Sequence, residues 1–217
     1  KQFFTENAID WGFAEALADS DVDPRTTREF ASRILANTDR MQRLVDDLLD
    51  LARIESGAWR PELEEVRVRP LVEDAWVSLQ PAAESRGVDL EIDLPDKLAV
   101  VADRDALFQI ISNLLDNAVR YAPDTTSIRL SVDPDDDGFR FEVADQGPGI
   151  PSAHLERVFE RFYRVDAARS REAGGTGLGL SIVKHLVAAH GGDVGIDSAL
   201  GEGTRAWFTL PRSDPDL

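Results

Sequence analysis

A chain of 217 residues, 42% hydrophobic and 30% charged, has material for one medium globular domain plus a smaller element. Its formal charge of −17 argues against a nucleic-acid or anionic-membrane surface, where positive charge must displace counterions. With no cysteine, disulfides and thiolate metal sites are excluded, and no run approaches the ~18 to 20 apolar residues of a membrane span.

The chain starts at Lys1 with no signal peptide, which reads as a piece of something longer or a processed product. Phe3 to Ala18 has helical character, and Asp19 to Pro24 is a polar turn suited to joining antiparallel helices. From Pro24 to Ser56, Ile34, Met41 and Leu48 are seven apart, as are Leu44 and Leu51, with Val45 and Ala52 widening the stripe. That repeat describes a long helix in a coiled coil or bundle, ended by Gly57 and then Pro61; an ordinary surface helix is the alternative. The two helices together make a hairpin whose apolar stripe a second copy would cover.

After Pro61 the texture becomes α/β. Val66 to Val68, Val88 to Leu94 and Ala99 to Ala102 read as strands, and Leu71 to Arg86 and Asp105 to Tyr121 as helices. Ser127 to Val132 and Phe139 to Val143 are strands around a Pro134 to Gly138 turn. A helix from Gly179 to His190 and strands at Asp193 to Ser198 and Thr204 to Leu210 complete the pattern, which predicts a sheet covered by helices.

Four motifs follow one another in this part. Asn113 and Asn117, four apart on one helix face, can direct their amides at one ligand, and an amide oxygen suits Mg²⁺; Arg120 adds a cation one turn on. Two polar residues on a solvated helix face would look the same. Asp145-Gln-Gly147-Pro-Gly149 follows a strand, so its carboxylate can accept from a base, or the segment is simply a turn. Phe159-Glu-Arg-Phe162-Tyr-Arg164 alternates aromatic and basic residues, as a helix end with a core-facing aromatic pair also would. Gly174-Gly175-Thr-Gly177-Leu-Gly179-Leu180 runs into a helix and can offer backbone N–H groups to a phosphate, or serve as a flexible lid. Gly201-Glu-Gly203-Thr204 reads as a tight turn.

In order and spacing these motifs, from about Ala31 to Leu210, resemble the catalytic core of sensor histidine kinases, within the ATPase group that includes gyrase, Hsp90 and MutL. Asn113 to Asn117 resembles the N box, Asp145 to Gly149 the G1 box, Phe159 to Arg164 the F box and Gly175 to Leu180 the G2 box, while Leu48 to Gly57 resembles the end of the dimerising hairpin. The resemblance implies an α+β chain: a dimerising hairpin over 1–58 and, over 59–217, an α/β sandwich with a mixed sheet and helices on one face. It implies ATP and Mg²⁺ as ligands, with Asp145 on the adenine amino group and Asn117 on the metal. Arg120 and Arg164 would contact phosphates and Tyr121 would pack near the base. Gly147, Gly149, Ile150 and Phe162 complete the implied site, with Gly175, Thr176, Gly177, Leu178, Gly179 and Leu180 as hinge and backbone cradle. Gyrase-like members carry a general-base Glu where this chain has Asn113, and Asn cannot take a proton, which favours a kinase over a hydrolytic ATPase.

The pattern breaks in the first helix. Family members carry a segment like Ser-His-Glu-Leu-Arg-Thr-Pro-Leu with the phosphoacceptor His; here Phe4 to Asn7 and Gly12 to Leu17 resemble its flanks, with only Ala8, Ile9, Asp10 and Trp11 between. About nine residues are missing relative to that pattern, some two and a half helical turns. His154, His185 and His190 all lie in the ATP-binding part and are not expected to be acceptors. A disordered or deliberately deleted segment missing from this sequence, a degenerate kinase and phosphorylation of a partner's histidine are the competing explanations, the first being favoured. The implied function is a two-component kinase acting as a homodimer on a response-regulator receiver domain, in the cytoplasm, with membrane attachment only through regions outside this chain. The alternative is an ATP-gated dimerisation module or regulator phosphatase; an anti-sigma-type serine kinase normally lacks the long hairpin.

Overall fold

A computed structural model describes residues 23–57, 59–135, 137–165 and 175–212. The expected helix from Phe3 to Ala18, most of the turn after it, the break between residues 7 and 12, and Gly174 lie outside the described residues.

Helix α1 (Pro24–Glu55) begins where Asp23 accepts from the N–H groups of Arg25 (2.9 Å) and Thr26 (3.1 Å). Pro24 at the first helical position forfeits an N–H that had no intrahelical partner. Gly57 at φ +67° ends it in the left-handed conformation that costs glycine least.

Strand β1 (Glu64–Arg67) leads straight into α2 (Val68–Glu84), and β2 (Asp89–Asp93), β3 (Ala99–Ala102) and α3 (Arg104–Tyr121) follow. The hairpin β4 (Ser127–Asp135) and β5 (Gly138–Asp145) precedes a short α4 (Ser152–Leu155), then α5 (Gly179–Ala189), β6 (Val194–Ser198) and β7 (Thr204–Pro211). The main sheet runs β2-β4-β5-β7-β6, parallel only between β2 and β4, so it is mixed as expected. β1 and β3 stand apart as a two-stranded antiparallel ribbon.

Alternation assigns the sheet its faces. Ile128, Leu130 and Val132 are buried while Arg129 and Asp133 point the other way, and Phe141 and Val143 of β5 and Phe208 and Leu210 of β7 continue the buried face. Phe141 and Phe208 are direct cross-strand partners whose rings stack 4.6 Å apart. Against them lie Leu107, Ile110, Ile111, Leu114 and Leu115 of α3, with Ile182 and Leu186 of α5. On the opposite face Arg140 sits 4.1 Å above the Trp207 ring, which lies over Gly195 and leaves no room for a Cβ there.

The elements differ from expectation at their ends. Val68 opens α2 rather than closing a strand, because Pro70 is tolerated in a first helical turn and Val68 N–H is satisfied by the Leu98 carbonyl at 3.0 Å. The helix stops at Glu84, short of Arg86, and Gly87 at φ +63° turns the chain. Arg86 is then free to reach the end of α3: its Nη1 donates to the carbonyls of Val119 (2.5 Å) and Arg120 (3.1 Å), and its Nη2 to that of Ala122 (2.5 Å). A fixed cation thus takes carbonyls that a helix end leaves without intrahelical partners.

α1 docks on α5. Leu51 of the seven-residue stripe is buried in the common core, while Leu35, Val45, Leu48 and Leu49 stay exposed, so the helix has one covered and one open apolar face.

Candidate functional site

Asp103 starts α3 by accepting from the Ala106 N–H at 2.9 Å, and the helix carries Asn113, Asn117, Arg120 and Tyr121 along one side of a cavity of about 420 Å³. The end of β5 brings Asp145, the loop after it Gly149 and Ile150, and the aromatic-basic segment Arg164. Gly175, Thr176 and Gly177 close another side, and Gly179 and Leu180 open α5 at its edge. All four motifs therefore meet at one hollow.

The packing explains why small residues stand here. A Cβ on Gly179 would lie 2.9 Å from Asn113 Oδ1, so glycine lets the α5 N-terminus approach α3. A Cβ on Gly147 would lie 2.6 Å from Asp145 Oδ1, where the Gly147 N–H instead donates to that carboxylate at 2.7 Å. Gly177, at φ +77°, accepts at its carbonyl from the Phe162 N–H (2.8 Å), clipping the two loops together. The N-cap of α5, Leu178, offers no side-chain acceptor, so the first N–H groups beside the cavity lack a side-chain cap.

Burial pushes the Asp145 carboxyl above the ordinary Asp value, against hydrogen bonds from the Gly147 and Thr204 backbones. Asp47 of α1 is raised too, mainly by burial with Asp50 adding to it, against the Thr176 hydroxyl that donates to Asp47 Oδ2 at 2.8 Å. Arg120 pairs with Asp116 at 2.5 Å. With Arg43 and Arg164, Arg120 gives the cavity three cations in a strongly acidic chain.

Three of the expected site residues lie off the wall. Gly147 acts through Asp145, the Phe162 side chain is 55% exposed, and Leu178 is fully buried in the core. The wall also contains residues that sequence reasoning did not assign to it. Val143, Ile196 and Ala206 form a floor that strand alternation could have indicated. Tyr163 lines the cavity with its hydroxyl bonded to His154 Nδ1, and Arg43 and Asp47 reach it from α1 with no local motif to mark them.

The other histidines are also engaged. The Asp103 N–H can only donate to His190 Nε2 (3.1 Å) and the Leu186 carbonyl can only accept from Nδ1 (2.7 Å), so both ring nitrogens are committed in a neutral ring. Burial, then Arg161 and Lys184, hold His185 below the usual histidine value. A second hollow of about 590 Å³, between Asp93, Arg129 and Asp133 on the open sheet face, has none of the four motifs.

Residues 102–214 match the family model for histidine kinase-, DNA gyrase B- and HSP90-like ATPases, and residues 12–57 that for the His Kinase A (phospho-acceptor) domain. The chain is 38% identical over 204 residues to the sensor-like histidine kinase SenX3 of Mycolicibacterium smegmatis, covering 94% of this chain and 53% of that protein. It is 39% identical over 210 residues to the sensor histidine kinase WalK of Bacillus subtilis, covering 92% of this chain and 33% of that one. The chain thus spans about half the length, or less, of these curated relatives. The Acinetobacter baumannii histidine kinase AdeS shares the fold at a TM-score of 0.79 and 21% identity, over 98% of both chains. Full-length ShkA in complex with AMPPNP matches at a TM-score of 0.72 and 28% identity, over 95% of this chain and 45% of that one.

Proposed function

Since the chain belongs to the histidine kinase-, DNA gyrase B- and HSP90-like ATPase family, we propose that it is the ATP-binding core of a two-component sensor kinase, serving phosphoryl transfer to a histidine and onward to a receiver-domain aspartate. The observation that carries this reading is the meeting of all four motifs at one cavity beside the α5 N-terminus. ShkA, similar in fold at 28% identity, is solved in complex with AMPPNP, which supports a nucleotide as the ligand of this fold.

In this reading residues 1–58 dimerise and 59–217 bind nucleotide. The open apolar face of α1 supports a second copy as its cover. Asp145 accepts from the adenine amino group, Tyr121 packs near the base, Arg120 and Arg164 hold phosphates, and the N–H groups at the start of α5 complete the cradle. The half-buried amide of Asn117 faces the same cavity as these arginines, which fits a metal carried in on phosphates. Held through Asn117, Mg²⁺ would supply positive charge that neutralises the phosphates. Asn113 holds position against Gly179 without a proton-accepting carboxylate, so the site retains ATP for another nucleophile. No helix among the described residues is long and apolar enough to cross a membrane; anchoring through other regions and a cytoplasmic setting belong to the proposal.

Intact mass under neutral conditions, before and after Mg·ATP, tests the transfer, since phosphohistidine is acid-labile. A starting mass above that of this sequence, followed by a gain of one phosphoryl group, would show that the acceptor segment exists and takes the phosphoryl group; a gain at the mass of this sequence would put it on one of the three histidines or another nucleophile. ATP binding with no gain at the mass of this sequence is what the second reading predicts, an ATP-gated dimerisation module, which the absence of an acceptor segment from this sequence favours. Absence of ATP binding sinks both.

Asp145 gives a pH dependence. Its raised carboxyl takes up a proton at higher pH than an exposed Asp, and only the ionised form accepts without restriction. ATP affinity is expected to fall as pH drops through that raised value, whereas Asp145→Asn weakens binding by about tenfold and flattens the profile. Titration calorimetry across pH checks this, and equal affinities of the parent for ATP and GTP would remove the adenine role. For the fold the sign is opposite: a carboxyl raised by burial favours the folded state at low pH and loses that contribution as pH rises through the raised value.

A further inference from the structure

We propose that α1 is a wall of the nucleotide site and that Arg43 on it is a phosphate-binding residue, an inference resting on the nucleotide reading above. Arg43 and Asp47, one helical turn apart, both line the cavity that holds Asn117, Arg120 and Arg164. The helix is fixed there at three points: Leu51 is 2% exposed, Gln109 of α3 donates to Asp50 at 2.9 Å, and Thr176 donates to Asp47 at 2.8 Å.

The charge balance asks for such a residue. The chain is strongly acidic, and Asp47, Asp116 and Asp145 add negative charge at the wall itself. Arg120 is already committed to Asp116. Arg43 donates through Nε to the Asp39 carbonyl of its own helix (3.3 Å) and forms no ion pair among the described residues, although its charge reaches Asp47. Its Nη donors are therefore the ones on α1 that a phosphate can take up, in the forked geometry that suits guanidinium to phosphate oxygens. Without Arg43, the Asp47 carboxylate would be the only charge lining the cavity from α1 among the described residues.

The Asp47–Thr176 bond gives the arrangement a second consequence. Thr176 lies in the glycine-rich loop, and its Oγ1 also accepts from the Leu178 N–H at 3.3 Å, at the start of α5. One helix thus presents a cation to the phosphates and holds the loop beside them, so nucleotide binding and docking of α1 favour each other.

The test compares Mg·ATP with adenosine by calorimetry on the full chain, for the parent, Arg43→Ala and Arg43→Lys. Arg43 is exposed on its helix, so alanine there leaves the core intact. The expected result is a loss of about tenfold in ATP affinity for Arg43→Ala, adenosine affinity unchanged and Arg43→Lys in between. Parental ATP affinity in Arg43→Ala overturns the proposal, and so does an equal loss for adenosine, which would mean that the helix had merely shifted. A parent that binds neither ligand overturns the nucleotide reading itself.

Discussion

Asn117→Ala is expected to cost at least about 10–100-fold in ATP affinity when Mg²⁺ is present, and almost nothing when it is chelated, because the only group removed is the proposed metal ligand. The side chain is half-buried at the cavity wall between buried Leu114 and Ala118, so its truncation leaves the packing of α3 in place. Asn117→Asp separates metal ligation from generic polarity. A carboxylate keeps a hard oxygen for the cation but adds charge facing the phosphates, so affinity should persist only with metal. Calorimetry in Mg²⁺ and in a chelator reads both variants. If Asn117→Ala binds Mg·ATP like the parent, Asn117 is not the ligand and the metal has another holder.

The largest stability loss is expected at Phe141→Ala. Phe141 is 1% exposed, stacked on its cross-strand partner Phe208, and sits where the sheet meets α3. Removing a buried ring leaves a cavity that a rigid sheet cannot close, at about 3–5 kcal/mol. Against a usual total of roughly 5–15 kcal/mol this brings the domain near its threshold. Urea unfolding followed by circular dichroism measures it, with Phe141→Leu losing distinctly less. A shift below about 1 kcal/mol for the alanine variant would mean that the aromatic pair does not tie the sheet to the helices.

What the sequence displayed and what it hid separate by the range of the interaction. The apolar spacing of the Asp105 to Tyr121 helix and the glycines before α5 are signals written within a few residues, and these two helices formed within one residue of expectation. The β4–β5 hairpin ran further into its turn than Pro134 to Gly138 suggested, because Pro134 pairs opposite Phe139 at the tip. Short α4 was missed, as one turn of Ser-Ala-His-Leu has no period to detect. The four motifs were legible, but their convergence rested on a family resemblance until the fold placed them together. Neither Arg43 nor Asp47 carried any local sign: Asp47 meets Thr176 across 129 positions, and only packing decides such a contact.

The Arg86 cap on α3 bears on how variants of this protein are interpreted. Arg86 does not line the cavity, yet it grips the carbonyls of Val119, Arg120 and Ala122, the stretch from which Arg120 and Tyr121 project into it. A lesion there loosens the last turn of that helix while the sheet and its core remain. In a genetic screen such an allele would score as a binding-site mutation although it touches no ligand. Its signature is suppression by a second change that stiffens the helix end, which no allele that removes a ligand contact could show.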